Sequence, residues 1–170
     1  EMTDQPWGGD VVYLAASDFT TPLTLFALDL NVMELTVMRR QPQQFDSDGI
    51  NVQQFWTTSA DGERIPYFHV GKNATPDTPT LVYAYGGFGI PELPHYLGSV
   101  GKYWLEEGNA FVLANIRGGG EFGPRWHQAA QGISKHKSVD DLLAVVRDLS
   151  ERGMSSPKHI GLQGGSNGGL

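Results

Sequence analysis

Cysteine is absent from the 170-residue sequence, which excludes a disulfide framework, a thiolate metal site and a cysteine nucleophile. Basic residues are few, because 12 Lys and Arg are scattered among 19 Asp and Glu, for a formal net charge of -7. A protein that binds nucleic acid through phosphates needs a basic stripe, so nucleic acid is not an expected partner. No apolar run approaches the roughly 20 residues of a transmembrane helix, and no membrane partner is expected.

Glycine, in contrast, is plentiful. The 22 glycines cluster at 86–89, 118–123 and 161–169, as is typical of tight turns and close backbone approaches rather than of a flexible linker. With 39% hydrophobic and 11% aromatic residues, the composition is that of a globular protein with a buried core.

Short alternating apolar segments predict antiparallel strands in the first half of the chain. These strands are expected at residues 11–14, 23–30, 52–57 and 65–70. Asp61-Gly62 supplies the turn between the last two, because such a pair accepts the positive φ angles of a tight hairpin.

Beyond residue 79 the pattern changes to alternating strands and helices, which predicts a parallel sheet with crossover helices. Strands are expected at 81–85, 110–116 and 159–163, and helices at 97–107 and from Ser138 onward.

The helix that starts at Ser138 is expected to open with a capping box, because Asp141 follows Ser138 at the required spacing. Asp140 and Asp141 are both expected to cap this helix and to complement its dipole. Its apolar residues predict one buried stripe: Val139, Leu142, Leu143, Val146 and Leu149.

The last predicted strand runs directly into Gly164-Gly165-Ser166-Asn167-Gly168. This run matches the G-x-S-x-G pattern, in which a serine at the tip of a strained strand-to-helix turn is the nucleophile of an α/β-hydrolase. Glycine is needed two positions either side of the serine, because a Cβ there would collide with the turn. The alternative is a glycine-rich loop that merely contains serine, and the preceding strand argues against it.

Four stretches together resemble the prolyl oligopeptidase family of serine peptidases. They are residues 164–170 (GGSNGGL), 83–88 (YAYGGF), 115–123 (NIRGGGEFG) with Trp126 and His127, and Ser155 with Pro157 and Lys158. They occur in order and at family-like spacing, so the resemblance extends over roughly residues 9 to 170.

The resemblance implies roles for particular residues. Ser166 would be the nucleophile, and the backbone N–H of Asn167 with the hydroxyl of Tyr85 would form the oxyanion hole. Tyr85 is also expected to end its strand, where ligands of open α/β sheets bind; Tyr83 is the alternative donor. Phe88 would be an aromatic wall of the proline-binding S1 pocket, unless it is a loop aromatic packed on the sheet.

The resemblance also implies an architecture and a reaction. Residues 1–45 would be the last antiparallel strands of a β-propeller, and residues 46–170 the N-terminal half of an α/β-hydrolase domain. The expected reaction is cleavage of an oligopeptide on the carboxyl side of proline through an acyl-enzyme, with no metal or organic cofactor. Cleavage after another residue, or ester hydrolysis, is the alternative within this class.

The histidines do not complete a catalytic triad in the sequence. In α/β-hydrolases the acid and the histidine follow the serine, whereas every histidine precedes it here: His69, His95, His127, His136 and His159. A missing C-terminal part of the same domain is expected to supply both groups, so the chain alone should be inactive. The cytoplasm is the expected compartment, with periplasm and secretion as alternatives because the opening residues read as internal.

Two hypotheses from other classes compete with the hydrolase. Gly118, Gly120 and Gly123 satisfy the dinucleotide-binding pattern G-x-G-x-x-G, with Asp140 about 20 residues further on. Pro124 follows where a helix should continue, which argues against this hypothesis. A non-catalytic binding module that retains the serine turn is the other alternative.

Overall fold

The computed structural model describes residues 9–170, so the first eight residues of the predicted propeller segment lie outside the described part. A three-stranded antiparallel sheet comes first, in the order β1-β2-β3: β1 (Val11–Ala16), β2 (Thr24–Asp29) and β3 (Glu34–Arg40). β1 and β2 confirm the strands predicted at 11–14 and 23–30, and β3 is an additional strand. All the side chains of β1 and β3 are exposed.

The second sheet has five strands in the order β4-β5-β7-β6-β8: β4 (Asn51–Thr58), β5 (Arg64–Gly71), β6 (Thr80–Ala84), β7 (Ala110–Ala114) and β8 (Ile160–Gln163). β4 and β5 form the predicted hairpin, and β5 also pairs antiparallel with β7. β6 pairs in parallel with both β7 and β8, as the alternation of strands and helices predicted. The carboxyl ends of β6 and β8 therefore lie side by side at one edge of the sheet.

Helical segments connect the parallel strands. They are α1 (Gly98–Val100), which continues as a π-helical turn (Gly101–Leu105), then α2 (Pro124–Gln128), a 3-10 turn (Gly132–Ser134) and α3 (His136–Glu151). The first of these corresponds to the helix predicted at 97–107. Gly108 closes it in the left-handed region, at φ 87°, and donates its N–H to the carbonyl of Leu105 at 3.0 Å.

The five-stranded sheet is packed on both faces. On one face, Val112 packs with α3 and with Trp126 of α2. On the other, Phe111 packs with Phe19, which comes from the loop between β1 and β2. Phe19 is buried, and its carbonyl accepts a hydrogen bond from the N–H of Leu97 at 3.1 Å. These contacts anchor the small sheet to the large one, while the domain boundary near residue 45 stays a prediction.

The start of α3 differs from the predicted one. The helix begins at His136 with no side-chain cap, and Asp140 and Asp141 lie in its second turn. Asp141 is fully buried and accepts hydrogen bonds from the guanidinium of Arg117, while the hydroxyl of Ser138 donates to the Arg117 carbonyl at 2.7 Å. The predicted capping box and the capping role of both aspartates are therefore wrong, because Arg117 engages Ser138 and Asp141 and because Asp140 lies beyond the first turn.

The buried face of α3 is rotated from the predicted stripe. Leu149 is buried as expected, but Val139 and Leu143 are each about half exposed, at 51% and 50%. Val145 is fully buried in their place. Asp141, paired with Arg117, lies on the same buried face, so this face contains a charged position that the predicted apolar stripe lacks.

Candidate active site

Ser166 lies at a sharp turn that follows β8. Gly165 before it is extended, with φ -117° and ψ 151°, whereas Ser166 has φ 52°. Few residues other than glycine adopt this left-handed backbone. A 3-10 turn, Ser166–Gly169, begins at the serine, so the chain passes from strand to helical backbone within one residue and leaves Ser166 exposed at the tip.

The glycines on either side of the serine are required by space. A Cβ on Gly164 would overlap the carbonyl oxygen of Gly168. A Cβ on Gly168 would lie 2.5 Å from the carbonyl oxygen of Ala84, at the end of β6. Both collisions involve backbone, which cannot move aside cheaply, so the steric reason inferred for the G-x-S-x-G spacing holds at both positions.

Asn167 joins the serine turn to the end of β6. Its side-chain Nδ2 donates a hydrogen bond of 2.7 Å to the carbonyl oxygen of Tyr85. A Cβ on Gly87 would overlap the same side chain. Within residues 9–170 the backbone N–H of Asn167 donates to no acceptor. The structure therefore brings Ser166, Asn167 and Tyr85 to the same edge of the sheet, with the Asn167 N–H unpaired within the described residues.

Tyr85 and Tyr83 have different surroundings. β6 ends at Ala84, so Tyr85 is the first residue beyond the strand rather than its last, and its ring is partly buried. Tyr83 lies within β6 and packs against the core that contains Phe111. Burial, with a smaller contribution from Glu92, raises the pKa of the Tyr83 phenol. Tyr85 is thus the tyrosine at the edge of the sheet, and Tyr83 is part of the packing beneath it.

Phe88 projects from the loop that follows Tyr85. Its backbone has φ 53° and its ring is 74% exposed, so the ring is not packed on the sheet. It lines a cavity of about 340 Å³ together with His127, Lys135 and Asn167. Its assignment to an S1 pocket stays a prediction.

A buried charged cluster, which the sequence analysis missed, lies behind this loop. The Arg117 side chain is 3% exposed. Its guanidinium Nη2 donates hydrogen bonds to the carboxylates of Asp141 at 2.6 Å and Asp61 at 2.9 Å. The hydrogen bonds that Arg117 donates to the Asp141 and Asp61 carboxylates raise the pKa of Arg117, and the Arg117 guanidinium holds the pKa of Asp61 well below its usual range. The cluster joins the β4–β5 turn, the segment after β7 and α3. The sequence indicates this cluster only through an arginine that directly follows the strand predicted at 110–116.

No histidine hydrogen-bonds to Ser166 within the described residues. His127 borders the Phe88 cavity, but its Nδ1 pairs with the Gly118 carbonyl at 2.8 Å and its Nε2 with the side chain of Gln131 at 2.6 Å. His69 is buried in β5, and burial lowers its pKa to about 4. The other three have Nδ1 beside a backbone carbonyl oxygen: His95, His136 and His159.

The glycines of 118–123 serve a contact between two loops. A Cβ on Gly118 would overlap the carbonyl oxygen of Gly86, and one on Gly120 would overlap that of Gly89. Asp140 lies inside α3 rather than at the end of a second strand. The dinucleotide-binding pattern therefore lacks its structural context. Packing of the 118–123 loop on the 86–89 loop accounts for Gly118 and Gly120, and a left-handed φ of 77° accounts for Gly123.

Within residues 9–170, no three His, Asp or Glu side chains are grouped to hold a metal ion. No helix in that range is both long and apolar enough to cross a bilayer.

Comparison with known proteins gives matches over nearly the whole chain. The model of the prolyl oligopeptidase family matches residues 97–170. An uncharacterized peptidase of Sinorhizobium fredii is 44% identical over 172 residues, which cover 99% of this chain and 24% of the relative. The prolyl endopeptidase of Elizabethkingia meningoseptica is 32% identical over 162 residues, which cover 94% and 23%. The chain thus spans about a quarter of the length of the curated relatives it matches.

Solved structures agree with these relatives. A post-proline cleaving enzyme from Rickettsia typhi is 38% identical, with a TM-score of 0.84 over 95% of this chain and 24% of that enzyme. Prolyl oligopeptidase B from Galerina marginata, bound to a macrocyclization substrate, is 30% identical, with a TM-score of 0.86 over 95% and 23%. Since sequence and fold match along almost all of its length, the chain belongs to the prolyl oligopeptidase family of serine peptidases.

Proposed function

We propose that this chain carries the nucleophile and the oxyanion hole of an endopeptidase that hydrolyses short peptides on the carboxyl side of proline. The observation that carries the proposal is the backbone of Ser166. Its left-handed turn presents a hydroxyl beyond the end of the sheet, beside the free backbone N–H of Asn167. This is the geometry that a serine needs in order to attack a carbonyl whose oxygen points at a hydrogen-bond donor.

The reaction is an acyl transfer in two steps. Ser166 Oγ attacks the carbonyl carbon of the scissile peptide, and its proton passes to a histidine and from there to the leaving amine. The N–H of Asn167 and the hydroxyl of Tyr85 donate to the oxyanion that forms. Water then hydrolyses the resulting ester, which releases the acid product and restores the serine. The ring of Phe88 bounds the space for the residue before the scissile bond.

The names of the relatives support the choice of proline, since a prolyl endopeptidase and a post-proline cleaving enzyme are among them. The acid and the histidine are proposed to lie in the part of the family length that this chain does not span. Residues 1–45 and 46–170 are proposed as the adjoining ends of a propeller and a hydrolase domain, with the β1–β3 sheet belonging to the former.

The test uses a full-length protein, meaning a chain of family length that contains this segment. Fluorogenic peptides that differ only before the scissile bond, with Pro, Ala or Arg there, should show the highest kcat/KM for Pro. Ser166→Ala should lower kcat on the order of a millionfold. Turnover within tenfold of wild type in Ser166→Ala would remove the serine from the mechanism, and faster cleavage after Arg or of esters would replace proline specificity with one of the alternatives.

A further inference from the structure

Lys135 contacts the candidate site through the loop that follows Tyr85. Its Nζ donates a hydrogen bond of 2.7 Å to the carbonyl oxygen of Gly86, and it lies 3.5 Å from the hydroxyl of Ser138. The lysine lies just before α3 and borders the Phe88 cavity. The sequence gives no local sign of this contact, because 49 positions separate Lys135 from Gly86.

Within the described part of the chain, the ammonium of Lys135 has no carboxylate partner. None of the five salt bridges within residues 9–170 includes it. Its side chain is partly buried, and burial lowers its pKa. A partly desolvated cation directed at a single carbonyl forms a charge-assisted hydrogen bond, which is stronger than one between neutral groups.

Two side chains thus hold two consecutive carbonyl oxygens. Asn167 binds that of Tyr85 and Lys135 binds that of Gly86, each at 2.7 Å. Two further hydrogen bonds of the loop are between backbone groups, from the N–H of Gly89 to the Gly118 carbonyl at 3.1 Å and from the N–H of Ile90 to the Gly87 carbonyl at 3.0 Å. Asn167 holds the peptide plane directly after Tyr85, and Lys135 holds the next plane, so Lys135 acts on the Tyr85 backbone through Gly86.

We propose that Lys135 is a positioning residue: by holding the Gly86 carbonyl it fixes the Tyr85 hydroxyl where the oxyanion forms. The proposal rests on the proposed function of Tyr85 and Ser166. It assigns to Lys135 no contact with the substrate. Loss of Lys135 should therefore weaken stabilisation of the transition state and leave binding of the ground state nearly unchanged.

The first experiment compares Lys135→Met with Lys137→Met in the full-length protein. Lys137 is a matched control, because it carries the same charge two residues further on and pairs with Asp61 at 3.3 Å. Lys135→Met should lower kcat about 10- to 50-fold with KM within about threefold, since one hydrogen bond to a charged group is lost. Lys137→Met should stay within about twofold, and Lys135→Arg, which keeps a cationic donor, should recover most of the loss.

A double-mutant cycle separates positioning from general damage to the fold. In a Tyr85→Phe background, Lys135→Met should cost less than about threefold in kcat, because the hydroxyl that it positions is already absent. A full multiplicative loss in that background would overturn the proposal, as would equal activity of the two lysine variants. If Lys135→Met failed to fold, the same cycle with Lys135→Gln would decide. Failure of the proposed function itself appears separately, as wild-type turnover that does not depend on Ser166.

Discussion

Tyr85 is the residue at which the proposed chemistry can be tested most sharply. Replacement by Phe keeps the ring beside the glycine loop and deletes only the hydroxyl. Because that hydroxyl is proposed to bind the oxyanion rather than the substrate carbonyl, we expect kcat to fall by roughly 10²- to 10³-fold with KM within about threefold. Steady-state kinetics on a proline peptide measure both.

Tyr83→Phe is the matched control, since the Tyr83 ring packs in the core and its hydroxyl has no proposed role. Tyr83→Phe should leave both kcat and KM nearly unchanged. If Tyr83→Phe lowered kcat and Tyr85→Phe did not, Tyr83 would be the oxyanion donor. If kcat fell only a few-fold in both variants, backbone N–H groups alone would stabilise the oxyanion.

His69 makes the folded state sensitive to mild acid. Burial lowers its pKa to about 4 from the usual 6.5, and its Nε2 has no hydrogen-bond partner within the described residues. The unfolded histidine gains a proton below about pH 6.5, while the folded one stays neutral until about pH 4, so protons favour unfolding across this window. We expect the urea midpoint of the full-length protein to fall as the pH is lowered from 7 to 4.

His69→Leu should flatten that fall, because the buried titratable group is gone. The exposed His136 offers the control, and His136→Leu should keep the wild-type pH dependence. An unchanged slope in His69→Leu would show that other groups carry the acid sensitivity.

The Arg117 cluster stabilises the packing of secondary-structure elements, because it joins a hairpin turn, a loop and a helix. Asp141 is fully buried, so Asp141→Asn removes the buried carboxylate from Arg117 and leaves the guanidinium only the partly exposed Asp61 as a counter-charge. We expect a loss of about 3 to 5 kcal/mol in the free energy of unfolding, measured by urea titration. Removing both charges, as in Arg117→Met with Asp141→Leu, should recover part of that loss.

The exposed pair of Lys102 and Glu106, with Nζ and Oε2 2.7 Å apart, provides the comparison. Lys102→Met should leave the urea midpoint nearly unchanged, because water screens the pair. A midpoint shift as large as that of Asp141→Asn would mean that burial is not what gives the Arg117 cluster its effect.

Elements with a local signal could be predicted from the sequence. The β4–β5 hairpin follows from alternation and from Asp61-Gly62, and the serine turn follows from glycine spacing. What could not be predicted depends on contacts between distant residues. The sequence position of Asp141 is typical of a helix cap. In the structure its carboxylate instead accepts a hydrogen bond from Arg117, which lies 24 positions away. The contact of Lys135 with Gly86 could not be predicted for the same reason, since a backbone carbonyl acceptor has no sequence signature.

For the whole molecule, the described part places the proposed nucleophile and the proposed oxyanion donors at one sheet edge, and no histidine within residues 9–170 hydrogen-bonds to the serine. The isolated 170-residue chain should therefore not react with a fluorophosphonate probe, whereas the full-length protein should be labelled at Ser166. Intact mass spectrometry with peptide mapping measures both. Stoichiometric labelling of Ser166 in the isolated chain would show that one of the five histidines acts as the base after all.

The loop that carries Phe88 has a consequence for protein engineering. The ring points outward, while the backbone beneath it is held by contacts of its glycine neighbours, so position 88 can be varied without disturbing Tyr85. Its φ of 53° restricts the useful variants, because β-branched side chains are strongly strained in that conformation, Asn, Asp and His less so, and Gly not at all. A search for variants with altered peptide selectivity should therefore begin with these few residue types at position 88.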